Sequence, residues 1–249
     1  MTCSTFDRDG TALAYDFVPG AGPTLVFLPG FMSDMTGDKA AAVAAWASAR
    51  GRACLRLDYS GHGASGGRFE DGTISRWTAD ALALIDHLAG PSFLLIGSSM
   101  GGWIALNIAR ARPNHTAALI GIAAAPDFTE DLMWPAFSEA TRAKLLADGA
   151  LRTPSAYGGE QVITRALIED GRKNLLLRAP VNITCPVRLL QGQQDPDVPW
   201  QTALRIADHL TGDDVQITLI KDGDHRLSRK RDIALLLRTV ATLLGEDGG

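Results

Sequence analysis

The chain has 249 residues, enough for one large α/β domain without requiring a second. Its composition is 46% hydrophobic and 21% charged, which is ordinary for a globular protein and argues against global disorder or a fibre. The net charge is −4 and the basic residues form no cluster, so we expect no nucleic-acid partner.

The three cysteines, Cys3, Cys54 and Cys185, are odd in number and widely spaced. They predict neither a disulfide framework nor a metal site. The N-terminus lacks the apolar stretch of a secretion signal, and no apolar run approaches the roughly 18 residues of a membrane-spanning helix. We therefore expect a protein of a reducing compartment with no membrane span.

Taken in chain order, the elements alternate between strand-like and helix-like segments. An Asp-Gly turn before residues 11–17 predicts one arm of a β-hairpin. Short apolar runs predict buried strands at 24–30, 53–59, 93–99, 117–125, 187–192 and 215–220. Apolar residues at spacings of three and four predict amphipathic helices at 39–51, 77–88 and 233–244. This alternation predicts an α/β fold with a mostly parallel sheet and helices on both faces.

Residues 128–180 break the alternation. They contain two or three helix-like pieces and no convincing strand, punctuated by Pro135 and Gly149. We expect a small helical cap over the sheet, inserted within a single domain spanning 1–249.

The pattern Gly-x-Ser-x-Gly occurs twice, centred on Ser99 and on Ser65. A nucleophilic serine of this pattern sits on a sharp turn from strand to helix. Ser99 follows an apolar run and precedes a strong helix former, whereas Ser65 lies in a polar, glycine-rich loop. Ser99 is therefore the candidate nucleophile.

A serine needs a base to take its proton. His225 lies between the last predicted strand and the last helix, where a loop residue reaches the carboxyl edge of the sheet. His62 is the second candidate, although a structural role in its glycine-rich loop is the favoured interpretation.

The base needs a carboxylate to orient it. Asp195 follows the strand before that of His225, while Asp197 and Asp127 are alternatives. The order Ser99, Asp195, His225 is the chain order of an α/β-hydrolase triad.

Negative charge on a tetrahedral intermediate needs preorganised donors. Their expected positions are the backbone amide after the nucleophile, Met100, and that of Phe31 after the strand at 24–30. Alternatively, both residues only line the pocket.

An apolar cluster within the expected cap could form the acyl pocket. It consists of Leu132, Met133, Trp134 and Phe137. The alternative is that these side chains only attach the cap to the sheet.

The segments LPGFMSDMTG, CLRLDYSGHGASGG, IGSSMGGW, LLQGQQDPDVPW and DHR together resemble the α/β-hydrolase superfamily. More narrowly, they are similar to the branch of the mitochondrial palmitoyl-protein thioesterase, also described as a mycophenolic acid acyl-glucuronide esterase. The resemblance implies a Ser–His–Asp hydrolase that cleaves esters or thioesters of small molecules or proteins without a metal or organic cofactor. Because the chain begins almost at its first strand and is rich in Ala and Arg, we expect a bacterial, cytoplasmic location.

Three other functions stay open at this point. One is an esterase acting on acyl glucuronides or other small molecules. Another is a non-hydrolytic protein of the same fold, such as a lyase, a peroxidase or a binding protein. A peptidase is the third, although nothing in 128–180 indicates recognition of a free amine.

Overall fold

A computed structural model of the chain describes residues 3–154 and 160–246. The strands in chain order are Ser4–Arg8 (β1), Thr11–Val18 (β2), Ala21–Leu28 (β3), Arg52–Leu57 (β4), Phe93–Ser98 (β5), Thr116–Ile122 (β6), Ala150–Pro154 (β7), Glu160–Thr164 (β8), Val187–Gly192 (β9) and Val215–Ile220 (β10). The helices are Asp38–Ala49 (α1), Ile74–Leu88 (α2), Met100–Ala111 (α3), Trp134–Ala136 (α4), Glu139–Asp148 (α5), Arg165–Lys173 (α6), Gln201–His209 (α7) and Lys230–Leu243 (α8). A 3₁₀ turn at Phe69–Asp71 and a π-helical turn at Thr129–Met133 complete the helical segments.

Eight strands form one sheet in the order β1-β2-β4-β3-β5-β6-β9-β10. The β1/β2 hairpin and the β2/β4 pair are antiparallel, and the pairs from β4 to β10 are parallel. The predicted hairpin and mostly parallel sheet are both confirmed.

Alternate residues of the central strands pack on opposite faces of the sheet. Leu95 of β5 belongs to the core beneath α2, α3 and α7, while Leu94 and Ile96 belong to the core beneath α1 and α8. A parallel sheet covered on both faces is expected to have continuously apolar strands, because each residue is buried on one side or the other.

The segment between β6 and β9 corrects one prediction. Besides helices it holds β7 and β8, which pair with each other in an antiparallel hairpin, so the expected absence of strands was wrong. Each strand has only five residues, too few for an alternation pattern to stand out in sequence. Gly149 ends α5 in the left-handed conformation, with φ 80°, and turns the chain into β7.

The carboxyl ends of the parallel strands position the site. The loops after β3, β5, β9 and β10 carry Phe31, Ser99, Asp195 and His225 respectively. Parallel strands end at the same edge of a sheet, so four segments distant in sequence converge there. Within the described part of the chain, no helix is both long and apolar enough to cross a membrane.

Candidate active site

Ser99 occupies the turn between β5 and α3 in a strained conformation. Its backbone has φ 54° and ψ −118°, a region that residues other than glycine rarely adopt. The N–H of Ser99 donates to the carbonyl of Ile122 at 2.9 Å, and its carbonyl accepts from Gly102 at 2.8 Å and Ala125 at 3.1 Å. These bonds hold the strained turn in one conformation.

The two glycines of the motif allow backbones to meet behind Ser99. A Cβ on Gly97 would lie 2.3 Å from the carbonyl oxygen of Gly101. A Cβ on Gly101 would lie 2.1 Å from the carbonyl oxygen of Leu28, in the neighbouring strand. The pattern around Ser99 therefore reflects close approach between β3, β5 and α3.

We expect Gly101→Ala to destabilise the fold by about 3 kcal/mol, because its methyl group would meet backbone that cannot rotate away. Gly66→Ala is the matched control, since its nearest new contact is an ordinary 3.5 Å. Urea unfolding of both variants measures the difference. Equal midpoints would show that the close packing behind Ser99 is not required.

A chain of hydrogen bonds joins three of the predicted residues. His225 Nε2 lies 3.1 Å from Ser99 Oγ, and His225 Nδ1 lies 2.8 Å from Asp195 Oδ2. A carboxylate only accepts hydrogen bonds, so Nδ1 carries the proton and Nε2 is free to accept from the serine hydroxyl. This is the arrangement that a general base requires.

The side chain of Asp195 is buried, and both of its carboxylate oxygens accept hydrogen bonds. Its Oδ1 accepts from the backbone N–H groups of Asp197 and Val198, both at 2.8 Å, and Oδ2 also accepts from Gln191 Nε2 at 3.0 Å. Burial opposes ionisation, but the bonds from His225, Val198 and Asp197 outweigh it and lower the pKa of Asp195. The carboxylate is therefore charged at neutral pH.

The alternative acids have other contacts. Asp127 accepts from the backbone N–H groups of Leu176 and Leu177, at 2.8 and 2.9 Å, and from the Arg178 guanidinium. Asp197 contributes its backbone N–H to Asp195. Of the three candidate acids, the structure joins Asp195 to His225.

The Ser65 hydroxyl forms hydrogen bonds with residues outside the Ser99–His225–Asp195 chain. Its hydroxyl accepts from the backbone N–H of Ala14 and donates to the carbonyl of Asp58, each at 2.7 Å. These bonds tie the loop after β4 to β2, which is a structural role.

Phe31 and Met100 are the residues whose backbone N–H groups are predicted to form the oxyanion hole. Phe31 lines the same cavity as Ser99 and His225, and Met100 directly follows Ser99 at the start of α3. Across residues 3–154 and 160–246, neither backbone N–H donates a hydrogen bond within the protein. The Met100 side chain is buried in the core, so it offers the site only its backbone.

A cavity of about 820 Å³ opens beside Ser99 and His225. The segment between β6 and β9 supplies an apolar wall. The wall comprises Phe128, Leu132, Met133, Ala136, Phe137 and Ile163. Met133 and Phe137 also pack on a small separate core around Leu145, so they both line the cavity and hold their segment together.

Trp134 is not at the cavity, in contrast to the prediction. Its ring lies 4.5 Å from the Arg172 guanidinium carbon and 5.2 Å from that of Arg142. Within residues 132–137, the neighbours Leu132 and Met133 line the cavity, whereas the Trp134 ring packs against the core around Leu145 and beside the two guanidinium groups. The apolar run 132–137 gave no means of telling them apart.

The cavity lining also has a polar part, which includes Lys39, Arg226 and Ser228 and was not anticipated from the sequence. Lys39 Nζ donates to the carbonyl of Arg226 and to Ser228 Oγ. Burial, and then the charge of Arg226, lower the pKa of Lys39 to about 8. No motif marks these residues, because α1 and the loop after β10 meet only in the fold.

Asp195, Asp197 and His225 offer three ligand atoms within 4.8 Å of one another. Both nitrogens of His225 already bond Ser99 and Asp195. A cation at this position would have to displace those hydrogen bonds, so the arrangement suits proton transfer better than metal binding.

Comparisons of the sequence and of the structure with known proteins both identify relatives of this chain. Residues 22–156 match the family described as serine aminopeptidase S33. The chain is 39% identical to the mitochondrial palmitoyl-protein thioesterase ABHD10 of Homo sapiens over 234 residues, which are 93% of this chain and 76% of that protein. It superposes on α/β hydrolase domain-containing protein 10 from mouse with a TM-score of 0.91 and 38% identity, covering 99% of both chains. A crystal structure of a protein from Agrobacterium vitis S4 superposes with a TM-score of 0.92 and 43% identity, covering 97% of both chains. The α/β-hydrolase fold predicted from the sequence is thereby confirmed.

The same comparisons contradict the expected cytoplasmic location. The palmitoyl-protein thioesterases to which the chain is similar are mitochondrial proteins. The expectation came from composition and from the start of the chain, and neither is a targeting signal.

Proposed function

The chain belongs to the α/β-hydrolase family, in the branch of the palmitoyl-protein thioesterase, and from this premise we propose that it cleaves carboxylic esters or thioesters through an acyl-enzyme on Ser99. His225 serves as the base and Asp195 orients it. The observation that carries the proposal is the unbroken chain of hydrogen bonds from Ser99 through His225 to the buried Asp195.

In the first half-reaction, Ser99 Oγ attacks the acyl carbonyl while His225 Nε2 takes its proton. The backbone N–H groups of Phe31 and Met100 stabilise the oxyanion that forms. The Asp195 carboxylate stabilises the imidazolium. The carbon–oxygen or carbon–sulfur bond to the leaving group then breaks, and His225 returns the proton to the departing alcohol or thiol.

In the second half-reaction, a water molecule takes the position that the leaving group vacated. His225 removes its proton, the water oxygen attacks the acyl-enzyme, and the same amides stabilise the second oxyanion. Collapse of this intermediate releases the carboxylic acid and regenerates the Ser99 hydroxyl.

A partition experiment tests the shared intermediate. An ester and a thioester of one acid are hydrolysed in the presence of methanol, and the ratio of methyl ester to free acid is measured for each. If both substrates form the same acyl-enzyme, the ratio of methyl ester to free acid is the same for both, because the leaving group has departed before methanol or water attacks. Ratios that differ with the leaving group would contradict the mechanism. A peptide anilide cleaved as fast as the ester would favour a peptidase instead.

The apolar wall should bind the acyl chain, so the segment 128–180 acts as a cap that selects it. We expect Met133→Ala to shift the preferred chain length upward and to lower kcat/KM for the original optimum about tenfold. Trp134→Ala is the control, because Trp134 belongs to the same segment but not to the cavity wall. If both variants change the chain-length profile equally, these residues only hold the segment together.

A further inference from the structure

His62 is a buried histidine outside the hydrogen-bond chain of Ser99. It lies in the loop after β4 and is 3% exposed. Its Nε2 is 3.3 Å from the backbone nitrogen of Met32, the residue after Phe31. Its Nδ1 is 3.3 Å from the carbonyl oxygen of Ser60.

These two partners fix the proton on the imidazole ring. The Ser60 carbonyl only accepts, so Nδ1 carries the proton, and the Met32 N–H only donates, so Nε2 is bare. Burial lowers the pKa of His62 to about 4, which keeps the ring neutral and Nε2 an acceptor at neutral pH. Nε2 of His62 is therefore available to accept a hydrogen bond from the Met32 N–H.

Met32 needs such a partner. Its φ is 58°, a left-handed conformation that costs a non-glycine residue about 1–2 kcal/mol. The residue is 42% exposed, so burial of its side chain does little to hold this conformation. The Ser33 N–H closes this turn by donating to the carbonyl of Gly30 at 3.1 Å, and the bond from Met32 to His62 ties the turn to the loop after β4.

Phe31 lies between two anchors of this loop. On one side, the Tyr59 hydroxyl donates to the carbonyl of Pro29 at 3.1 Å, and on the other, Met32 donates to His62. The Phe31 ring also contacts Phe69 and Trp77, with centroids 5.1 and 6.0 Å away.

The same two rings that contact Phe31 hold the His62 imidazole. The centroids of Phe69 and Trp77 are each 5.0 Å from that of His62, and Trp77 meets it nearly edge-on at 85°. The imidazole and the side chain of Phe31 are thus parts of one aromatic cluster.

We infer that His62 is a positioning residue for the oxyanion hole. Its Nε2 accepts a hydrogen bond from the Met32 N–H, and this bond holds the loop so that the preceding Phe31 N–H points at the oxyanion. The inference rests on the proposed function, because it assigns Phe31 as an oxyanion donor. His62 itself exchanges no proton with the substrate.

The test compares His62→Leu with His62→Gln. Leucine fills much of the space but cannot accept, so we expect kcat to fall about tenfold to a hundredfold, with KM little changed, because one oxyanion donor is misdirected. Glutamine can place its Oε1 near the position of Nε2, and should recover most of the loss. A trifluoromethyl ketone inhibitor, which forms an oxyanion on the serine, should bind His62→Leu more weakly by the factor lost in kcat/KM.

Thr24→Val is the stability control. Its hydroxyl donates a buried hydrogen bond to the carbonyl of Ala89 at 2.7 Å, in the half of β3 that is distant from the site. We expect this variant to lose thermal stability and keep its kcat. If His62→Leu keeps kcat at the level of Thr24→Val, or loses it without weaker inhibitor binding, the inference is overturned. Loss of activity in Ser99→Ala is measured alongside, so failure of the proposed function would be recognised separately.

Discussion

Replacing Ser99 with alanine is expected to lower kcat by a factor of at least about 10⁴, judging from other serine triads. The variant loses the atom that attacks the carbonyl, while the strained turn, the cavity and the backbone donors stay in place. Alanine at φ 54° is as strained as serine, so the fold should lose little stability. Hydrolysis of a p-nitrophenyl ester measures the change.

Ser65→Ala is the matched control, since Ser65 is the centre of the other Gly-x-Ser-x-Gly pattern. Its hydroxyl bridges Ala14 and Asp58, so its loss should cost roughly 1 kcal/mol of stability per hydrogen bond and leave kcat nearly unchanged. An active Ser99→Ala enzyme, or an inactive and stable Ser65→Ala enzyme, would contradict the assignment of the nucleophile.

Asp195→Asn is expected to have the second-largest effect, a loss on the order of 10⁴ in kcat. An asparagine that keeps its oxygen towards the N–H groups of Asp197 and Val198 must present its NH₂ group to His225. Nδ1 of His225 would then accept, Nε2 would carry the proton, and Ser99 would lose its base. The variant should bind substrate with nearly the same KM, because the cavity wall is unchanged.

Asp197→Asn and Asp127→Asn distinguish Asp195 from the other candidate acids. We expect Asp197→Asn to lower kcat far less, because its contact with Asp195 is made by its backbone N–H. Asp127→Asn should act on stability, since its carboxylate anchors the chain after α6. If either one lowers kcat more than Asp195→Asn at equal stability, the triad has been assigned incorrectly.

Much of the fold and the place of the site could be predicted from the sequence, because both depend on local pattern. Apolar runs located β3, β4, β5, β6, β9 and β10 of the main sheet, and helical spacings located α1, α2 and α8. The strand before Ser99 and the helix after it separated this serine from Ser65, although both match the same short motif. The positions of Asp195 and His225 after successive strands placed them at the edge where Ser99 lies.

What could not be predicted depends on contacts between distant segments. The strands β7 and β8 have five residues each, too few to show an alternation pattern, and in the described part of the chain they form a separate two-stranded sheet. Trp134 lies beside Arg172, 38 residues further along the chain, and its neighbour Met133 lines the cavity instead. The bond between His62 and Met32 likewise joins two loops that only the fold brings together.

Peptide mapping after reaction with a fluorophosphonate probe tests most directly whether Ser99 is a nucleophile activated by His225. The probe forms a stable phosphonyl ester, so its position records which oxygen attacked. We predict one adduct per chain, located on Ser99, absent from Ser99→Ala and strongly slowed in His225→Ala. An adduct on another residue, or labelling of Ser99 in His225→Ala at the rate of the unaltered protein, would contradict this account.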